Sequence, residues 1–205
     1  MPRPRSLTPA QLATAALAVL DRDGLEALTM RAVAKELGMG TMSLYRYVDD
    51  RAQLEALVVD LVLDLVDLAL PRTSAHDRLV LLAERVREVV GEHSAVVPLL
   101  LLHRHTSTAS RRWGELVLQT LAEAGLTGRQ RVIAFRAYLS YVLGALQTAF
   151  YSPLSGAGTV QLSTQDDFPV LAETARAARH IGPEEEFREG LELLLSGLTG
   201  AAEAP

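Results

Sequence analysis

Three observations predict an all-α protein, with an N-terminal three-helix helix-turn-helix domain followed by a larger helical domain. Apolar residues recur at helical spacing along nearly all 205 residues, and no segment sustains strand alternation. Two capping boxes, Thr8 with Gln11 and Thr127 with Gln130, stand at the head of apolar runs. Between Thr29 and Arg51, two short helical patterns flank Leu37-Gly38-Met39-Gly40, which is the layout of a helix-turn-helix.

The first helix starts at Thr8, with Pro9 at its first position. Leu12, Ala16, Val19 and Leu20 form its inner stripe, and Gly24 ends it. In the second helix Val33, Ala34 and Leu37 face inward. Ala34 is the small residue needed where two helices cross, and Gly38 stands where a left-handed cap is required. In the third, Leu44, Tyr47 and Val48 supply the buried side, which leaves Thr41, Met42, Ser43, Tyr45 and Arg46 outward. Asp49 or Asp50 caps a long helix from about Arg51 to Leu70, and Pro71 and Ser74 mark the passage to a second region.

Five or six helices are expected beyond that passage. Leu79, Leu82, Ala83, Val86 and Val90 make one face before Gly91, and Pro98 opens a short apolar helix ending near His103. Trp113, Leu116, Val117 and Leu121 lie on the next, which stops at Gly125. A long helix then runs from Thr127 to about Tyr151. The Ser/Gly/Pro-rich stretch 152–165 reads as a loop, and 168–179 and 184–198 supply the last two helices.

Composition bounds the function. Hydrophobic residues make up 49% of the chain, enough for a sizeable core. Cysteine is absent, which removes disulfides and cysteine metal sites. Asp60, Asp64 and Asp67 interrupt the apolar run from Leu57 to Leu70, and Arg3 and Arg5 are not followed by a signal-peptide segment. A soluble cytoplasmic protein without a membrane partner is expected. The net charge of −5 is unevenly placed: residues 1–48 carry six cations against four acids, so the remainder holds −7. That is a weakly cationic head on an acidic body.

Chemistry beyond binding finds little support. His93, His103 or His105 could serve a helical enzyme as a general base, yet no Ser-His-Asp set, nucleotide loop or metal motif accompanies them. His103 and His105 are two residues apart and do not share a helix face, so no metal and no cofactor are expected.

The long helix near the middle of the second region is apolar on nearly every side, with Val132, Phe135, Leu139, Val142, Leu146 and Phe150 facing one way. A dimer partner on one side and a ligand cavity on the other would satisfy it. His103, Trp113, Phe135, Tyr138, Leu139 and Gln147 are the pocket candidates, and ordinary core packing is the competing reading for each. Ala137, Ser140, Gly144 and Thr148 place small residues on one stripe of this helix. Gly190 and Gly197, with Leu194 between them, do the same near the C-terminus. Two such helices from each subunit would form a four-helix interface, unless the stripes pack within one monomer.

The segments Leu28-Thr29-Met30-Arg31-Ala32-Val33-Ala34, Leu37-Gly38 and Leu44-Tyr45-Arg46-Tyr47-Val48, extended by Arg51 and Leu54, resemble the TetR family of bacterial transcriptional repressors. Tyr141-Val142-Leu143-Gly144, Phe168-Pro169 and the 187–198 helix resemble its tetracycline-repressor branch more loosely. The resemblance implies a homodimer on palindromic double-stranded operator DNA, controlled by a small-molecule effector. It divides the chain into a DNA-binding domain (1–50), a connecting helix (51–71) and a ligand-binding and dimerisation domain (72–205). Thr29, Arg31, Thr41, Met42, Tyr45, Arg46, Tyr47 and Arg51 are then the DNA-facing residues, joined by Ser43 near the exposed helix start. Arg31 and Arg46 suit guanine, Tyr45 a phosphate and Arg51 a phosphate clamp. Core packing competes for Tyr47, and a bystander role for Met42.

In the tetracycline-binding branch the long helix supplies a histidine and a glutamate to the magnesium-bound drug. Ser140 and Thr148 stand at those places, so a different inducer is expected. The family implies that the inducer shifts the fourth helices and with them the heads. An adaptor or ligand-binding protein with a degenerate DNA-binding head is the alternative, kept open by Asp49, Asp50 and Glu55 in the head.

Overall fold

The computed structural model of the chain describes residues 7–148, 156–165 and 167–200. Its elements are α1 Pro9–Asp23, α2 Met30–Glu36, α3 Thr41–Leu44, α4 Arg51–Asp64, α5 Ala75–Glu92, α6 Val97–His103, α7 Thr108–Glu123, α8 Gly128–Thr148, α9 Gly156–Leu162, α10 Pro169–Ala178 and α11 Pro183–Gly200. Short 3-10 turns at Leu25–Ala27 and Ser94–Val96 precede α2 and α6. No strand occurs among the described residues, and no described helix is long and apolar enough to cross a membrane.

The chain divides into two compact units: Met1–Arg72 with Leu81–Gln119, and Thr73–Val80 with Thr120–Pro205. In the first, α1 packs against α2 and α4, α2 against α3, and α4 against α6. Thr8 and Gln11 close the expected capping box on α1, and Leu12, Ala16, Val19 and Leu20 are buried as the pattern required. Leu54, Val58 and Val62 give α4 its buried stripe. Asp50, rather than Asp49, caps α4, accepting from the Gln53 amide at 2.8 Å. Gln53 in turn accepts from the Asp49 amide at 2.7 Å.

Helix α4 stops at Asp64 and does not reach Leu70. The reason is a competing set of partners for the backbone. Arg85 Nη1 donates to the carbonyls of Asp67 and Ala69, each at 2.7 Å, while Asp67 Oδ1 accepts from the Ala69 amide at 2.9 Å. With those groups satisfied, nothing favours a further helical turn. Leu65 accordingly ends up exposed.

In the second unit α8 packs against α11 and α9 against α10. Tyr138, fully buried, donates its hydroxyl to the Leu79 carbonyl at 2.6 Å. Tyr141 donates to the Phe187 carbonyl at 2.8 Å and its ring lies 5.7 Å from that of Phe187, which fixes α11 on α8. The stretch 152–165 is not wholly a loop, because it contains α9; the sequence beyond Pro71 thus yields seven α-helices among the described residues, not five or six. The expected end of α8 near Tyr151, and Phe150 with it, lies outside the described residues.

Candidate nucleic-acid interface

The helix-turn-helix segment lies in the first unit and is held by three local devices. Thr29 caps α2, its Oγ1 accepting from the Ala32 amide at 3.2 Å. At the other end, the Met39 amide donates to Ala34 and the Gly38 amide to Lys35, at 2.9 and 3.0 Å, with Gly38 at φ 65°. These two bonds form a Schellman stop, which satisfies carbonyls that a sharp chain reversal would orphan. Third, Leu44 and Val48 are buried beneath α3, against the equally buried Val33 and Ala34 of α2.

Helix α3 is shorter than the pattern suggests. It covers Thr41–Leu44, and 45–47 continue as turn, with the Tyr47 and Val48 amides donating to the Leu44 carbonyl. This changes one expectation. Tyr47, for which core packing beside Leu44 and Val48 competes with a DNA-facing place, is 36% exposed, because the chain leaves α-helical periodicity before reaching it. Met42 at 80% and Tyr45 at 46% are more open still, and Thr29, Arg31 and Arg46 are exposed too, while Thr41 and Ser43 are half-buried. Met42 and large parts of both tyrosine rings are thus left facing water on a small domain.

Cations in the head differ in availability. Arg22 bonds Asp23 and Glu36, and the bonds to those two carboxylates hold its guanidinium pKa above the ordinary value. Arg51 places Nε 2.6 Å from Glu55 Oε1 and donates through Nη2 to the Leu25 carbonyl at 3.2 Å. Arg31, Lys35 and Arg46 form no ion pair among the described residues. The expected phosphate clamp at Arg51 is therefore oriented by the chain itself. Sequence spacing hinted at the Glu55 partner, four residues on along α4, and at nothing for Leu25.

Behind the interface, α4 carries acids that hold other elements of the same unit. Asp60 accepts from Ser107 Oγ at 2.6 Å and from the Ala109 amide at 3.0 Å, thereby capping α7. Burial pushes its carboxyl up. The bonds from Ser107, Ala109 and Thr108 and the charge of Arg112 outweigh that, so it titrates below its ordinary value. Asp64 pairs with Arg112 at 2.6 Å, and His103 Nε2 lies 2.9 Å from Glu55 Oε2.

The residues expected to line a ligand pocket fall in both units. In the first, Trp113 is buried with Nε1 donating to the Leu82 carbonyl at 3.1 Å, and half-buried His103 is engaged by Glu55. In the second, Tyr138 is core, and Phe135 and Leu139 are half-buried. Gln147 is exposed with its amide on the Leu143 carbonyl, on the side of α8 opposite Tyr138. An open groove of about 550 Å³ in the first unit is lined by Leu68, Thr108, Arg111, Arg112, Glu115 and Leu116, none of which sequence reasoning selected. Of the small-residue stripe, Ser140 and Gly197 are exposed, while Ala137, Gly144, Thr148 and Leu194 are half-buried. Gly190 faces the Tyr141 hydroxyl within its own unit, where a Cβ would collide with it.

Comparison with known proteins agrees with this layout. The model for bacterial regulatory proteins of the tetR family matches residues 12–55, and that for the tetracyclin repressor-like C-terminal domain matches residues 69–201. The chain is 30% identical over 223 residues to the HTH-type transcriptional repressor DrrR1 of Streptomyces coeruleorubidus, covering 96% of this chain and 78% of that protein. Apo ActR of Streptomyces coelicolor superposes with a TM-score of 0.86 at 24% identity, covering 98% of each chain. ActR with actinorhodin gives 0.84 at 24% identity over 97% of this chain and all of that one. A structure of BioQ with its double-stranded DNA operator gives 0.70 at 21% identity over 95% and 99%.

Proposed function

The chain belongs to the TetR family of bacterial regulatory proteins, and from that premise we propose that it is a cytoplasmic, homodimeric repressor released from a palindromic operator by a small-molecule inducer. As a transcriptional regulator of this family it acts by binding, not by catalysis. In this reading residues 1–50 are the DNA head, 51–71 the connection and 72–205 the ligand-binding and dimerisation part. DrrR1, by its name a repressor, supports the direction of control, and ActR bound to actinorhodin supports a ligand-responsive body.

The observation that carries the proposal is the exposure of Met42, Tyr45 and Tyr47 in the same small segment as Arg31 and Arg46, which have no ion pair among the described residues. Tyr45 would donate its hydroxyl to a phosphate, Arg46 and Arg31 would read base edges, and Thr29, Thr41 and Ser43 would contact phosphate or base edges. The two heads of a dimer would enter successive major grooves, about 34–36 Å apart. Affinity must come from pairing, because the described residues of each head offer few cations without an ion pair, namely Arg31, Lys35 and Arg46. With Arg31 and Arg46 on base edges, Lys35 and Arg51 of two heads would neutralise about four phosphates, and the logarithm of affinity should fall with the logarithm of salt at a slope of roughly −4.

Selection of binding sites from random duplexes tests the reading. A palindromic consensus is expected, with Tyr45→Phe weakening binding to all sequences alike and Arg46→Ala relaxing preference at one position of each half-site. Absence of any sequence preference in the purified dimer would refute it. An inducer lowers affinity only if it binds the released conformation more tightly than the DNA-bound one, so titration of candidate small molecules must be scored by operator release and not by binding alone.

A further inference from the structure

Arg51, at the start of α4, is a cation that the fold orients and still leaves facing water. Its side chain is 44% exposed, Nε is held by Glu55 Oε1 at 2.6 Å, and Nη2 is held by the Leu25 carbonyl at 3.2 Å. Those two bonds fix the plane of the guanidinium, and its Nη1 makes no hydrogen bond to the described chain. Glu55 is itself fixed. Its other oxygen lies 2.9 Å from His103 Nε2, and both side chains are largely buried, at 12% and 16% exposure. The result is a chain of contacts from α6, through a carboxylate on α4, to a guanidinium at the edge of the DNA head.

We propose that Glu55 and His103 are positioning residues for operator binding, holding Arg51 so that Nη1 meets a phosphate in each half-site. A planar guanidinium loses less freedom on binding when its orientation is already set, so preorganisation converts an exposed arginine into an effective phosphate contact. His103 keeps the Glu55 carboxylate from swinging away, which makes the Arg51 contact depend on where α6 stands. The idea rests on the repressor reading and adds the residues through which the body reaches one DNA contact.

Simple electrostatics and positioning predict opposite signs. Glu55→Gln removes a negative charge near the DNA, so charge alone would tighten operator binding. Positioning predicts weaker binding by roughly tenfold, the scale of a lost charged hydrogen bond. Glu55→Asp keeps the charge but withdraws the carboxylate by one methylene, and it should weaken binding as well. The decisive measurement is a double-mutant cycle by fluorescence anisotropy on the selected operator, with thermal unfolding recorded for each variant. In an Arg51→Ala background, Glu55→Gln is expected to cost nothing further. His103→Leu should behave as Glu55→Gln does, and His103→Gln, which retains an N–H at similar reach, should recover most of that loss. Tighter binding by Glu55→Gln, or losses that add in the double variant, overturns the proposal while the repressor reading stands. A folded wild-type dimer that binds no operator overturns both.

Discussion

Gly144 and Gly197 permit a direct test of how two heads are brought together. A Cβ built on either glycine meets nothing within 4 Å in the chain itself. Within a lone subunit, replacing a helical glycine by a better helix former should therefore stabilise by about 0.5–1 kcal/mol. If partner helices lie against this stripe, a leucine there overpacks the interface by about 1–3 kcal/mol. A two-fold axis places each substitution twice, so the dimer should lose about 2–6 kcal/mol, a rise in its dissociation constant of roughly thirtyfold to ten-thousandfold. Sedimentation velocity over a dilution series on Gly144→Leu and Gly197→Leu reads this directly, and operator affinity should fall in parallel. Gly190→Ala is the control, because its Cβ would strike the Tyr141 hydroxyl inside the same chain. It should lower the melting temperature without a matching change in dimer dissociation. Wild-type dimerisation by both leucine variants would refute the four-helix interface built from these stripes.

Three further outcomes follow from single residues. Gly38→Ala should destabilise by about 1–2 kcal/mol, because its left-handed φ of 65° is strained for any residue with a Cβ, and Gly38→Asn should cost less; equal melting temperatures for both variants would discredit the Schellman stop. Tyr138→Phe should lose about 1 kcal/mol in urea unfolding through its bond to Leu79, and, because burial pushes the phenol up, one tyrosine of the folded protein should escape ionisation in an alkaline absorbance titration. Asp60 titrates lower when folded than when unfolded, so its stabilisation is full above the ordinary carboxylate range and disappears as pH falls through the folded value. Asp60→Asn should therefore cost stability at neutral pH and flatten the acid limb of melting temperature against pH. An unchanged acid limb would show that the carboxylate does not cap α7.

What the sequence disclosed was what local rules govern. The α1 capping box, the left-handed glycine at 38, the inner stripe of α1 and Val33 and Ala34 of α2 depend on neighbours three or four residues away and appear as expected, while Leu37 is only half-buried. The errors arose where a distant residue decides. Nothing near Leu65 says that Arg85 will capture the carbonyls of Asp67 and Ala69 and end α4 early. Nothing near Tyr47 says that α3 gives way to turn after Leu44. Arg51 was legible as a cation at a helix start, whereas its tether to Leu25 spans 26 residues and could not be read from spacing. The 156–162 helix was masked by composition, since glycine and threonine argue for loop whatever the tertiary setting.

The same long-range view changes the meaning of the acids on and after α4. In the sequence, Asp60, Asp64 and Asp67 merely interrupted an apolar run. In the structure, each has a partner in another element of the first unit: Asp60 at the start of α7, Asp64 on Arg112, Asp67 on Arg85, with Glu55 on His103 one turn earlier. A carboxylate with a cation or a helix N-terminus at hydrogen-bond distance presents little field to a DNA backbone beyond a Debye length of about 10 Å at 0.1 M salt. The net charge beyond residue 48 already counts those arginines, so it is salt screening that limits how far the negative balance opposes a cationic head. For α4 these acids serve instead as its points of attachment. A helix held by three polar contacts of its own on more than one face, Glu55, Asp60 and Asp64, can move only by exchanging those contacts together. That makes α4 suited to two discrete positions, not a continuum, which is what a repressor must have if a ligand is to switch it.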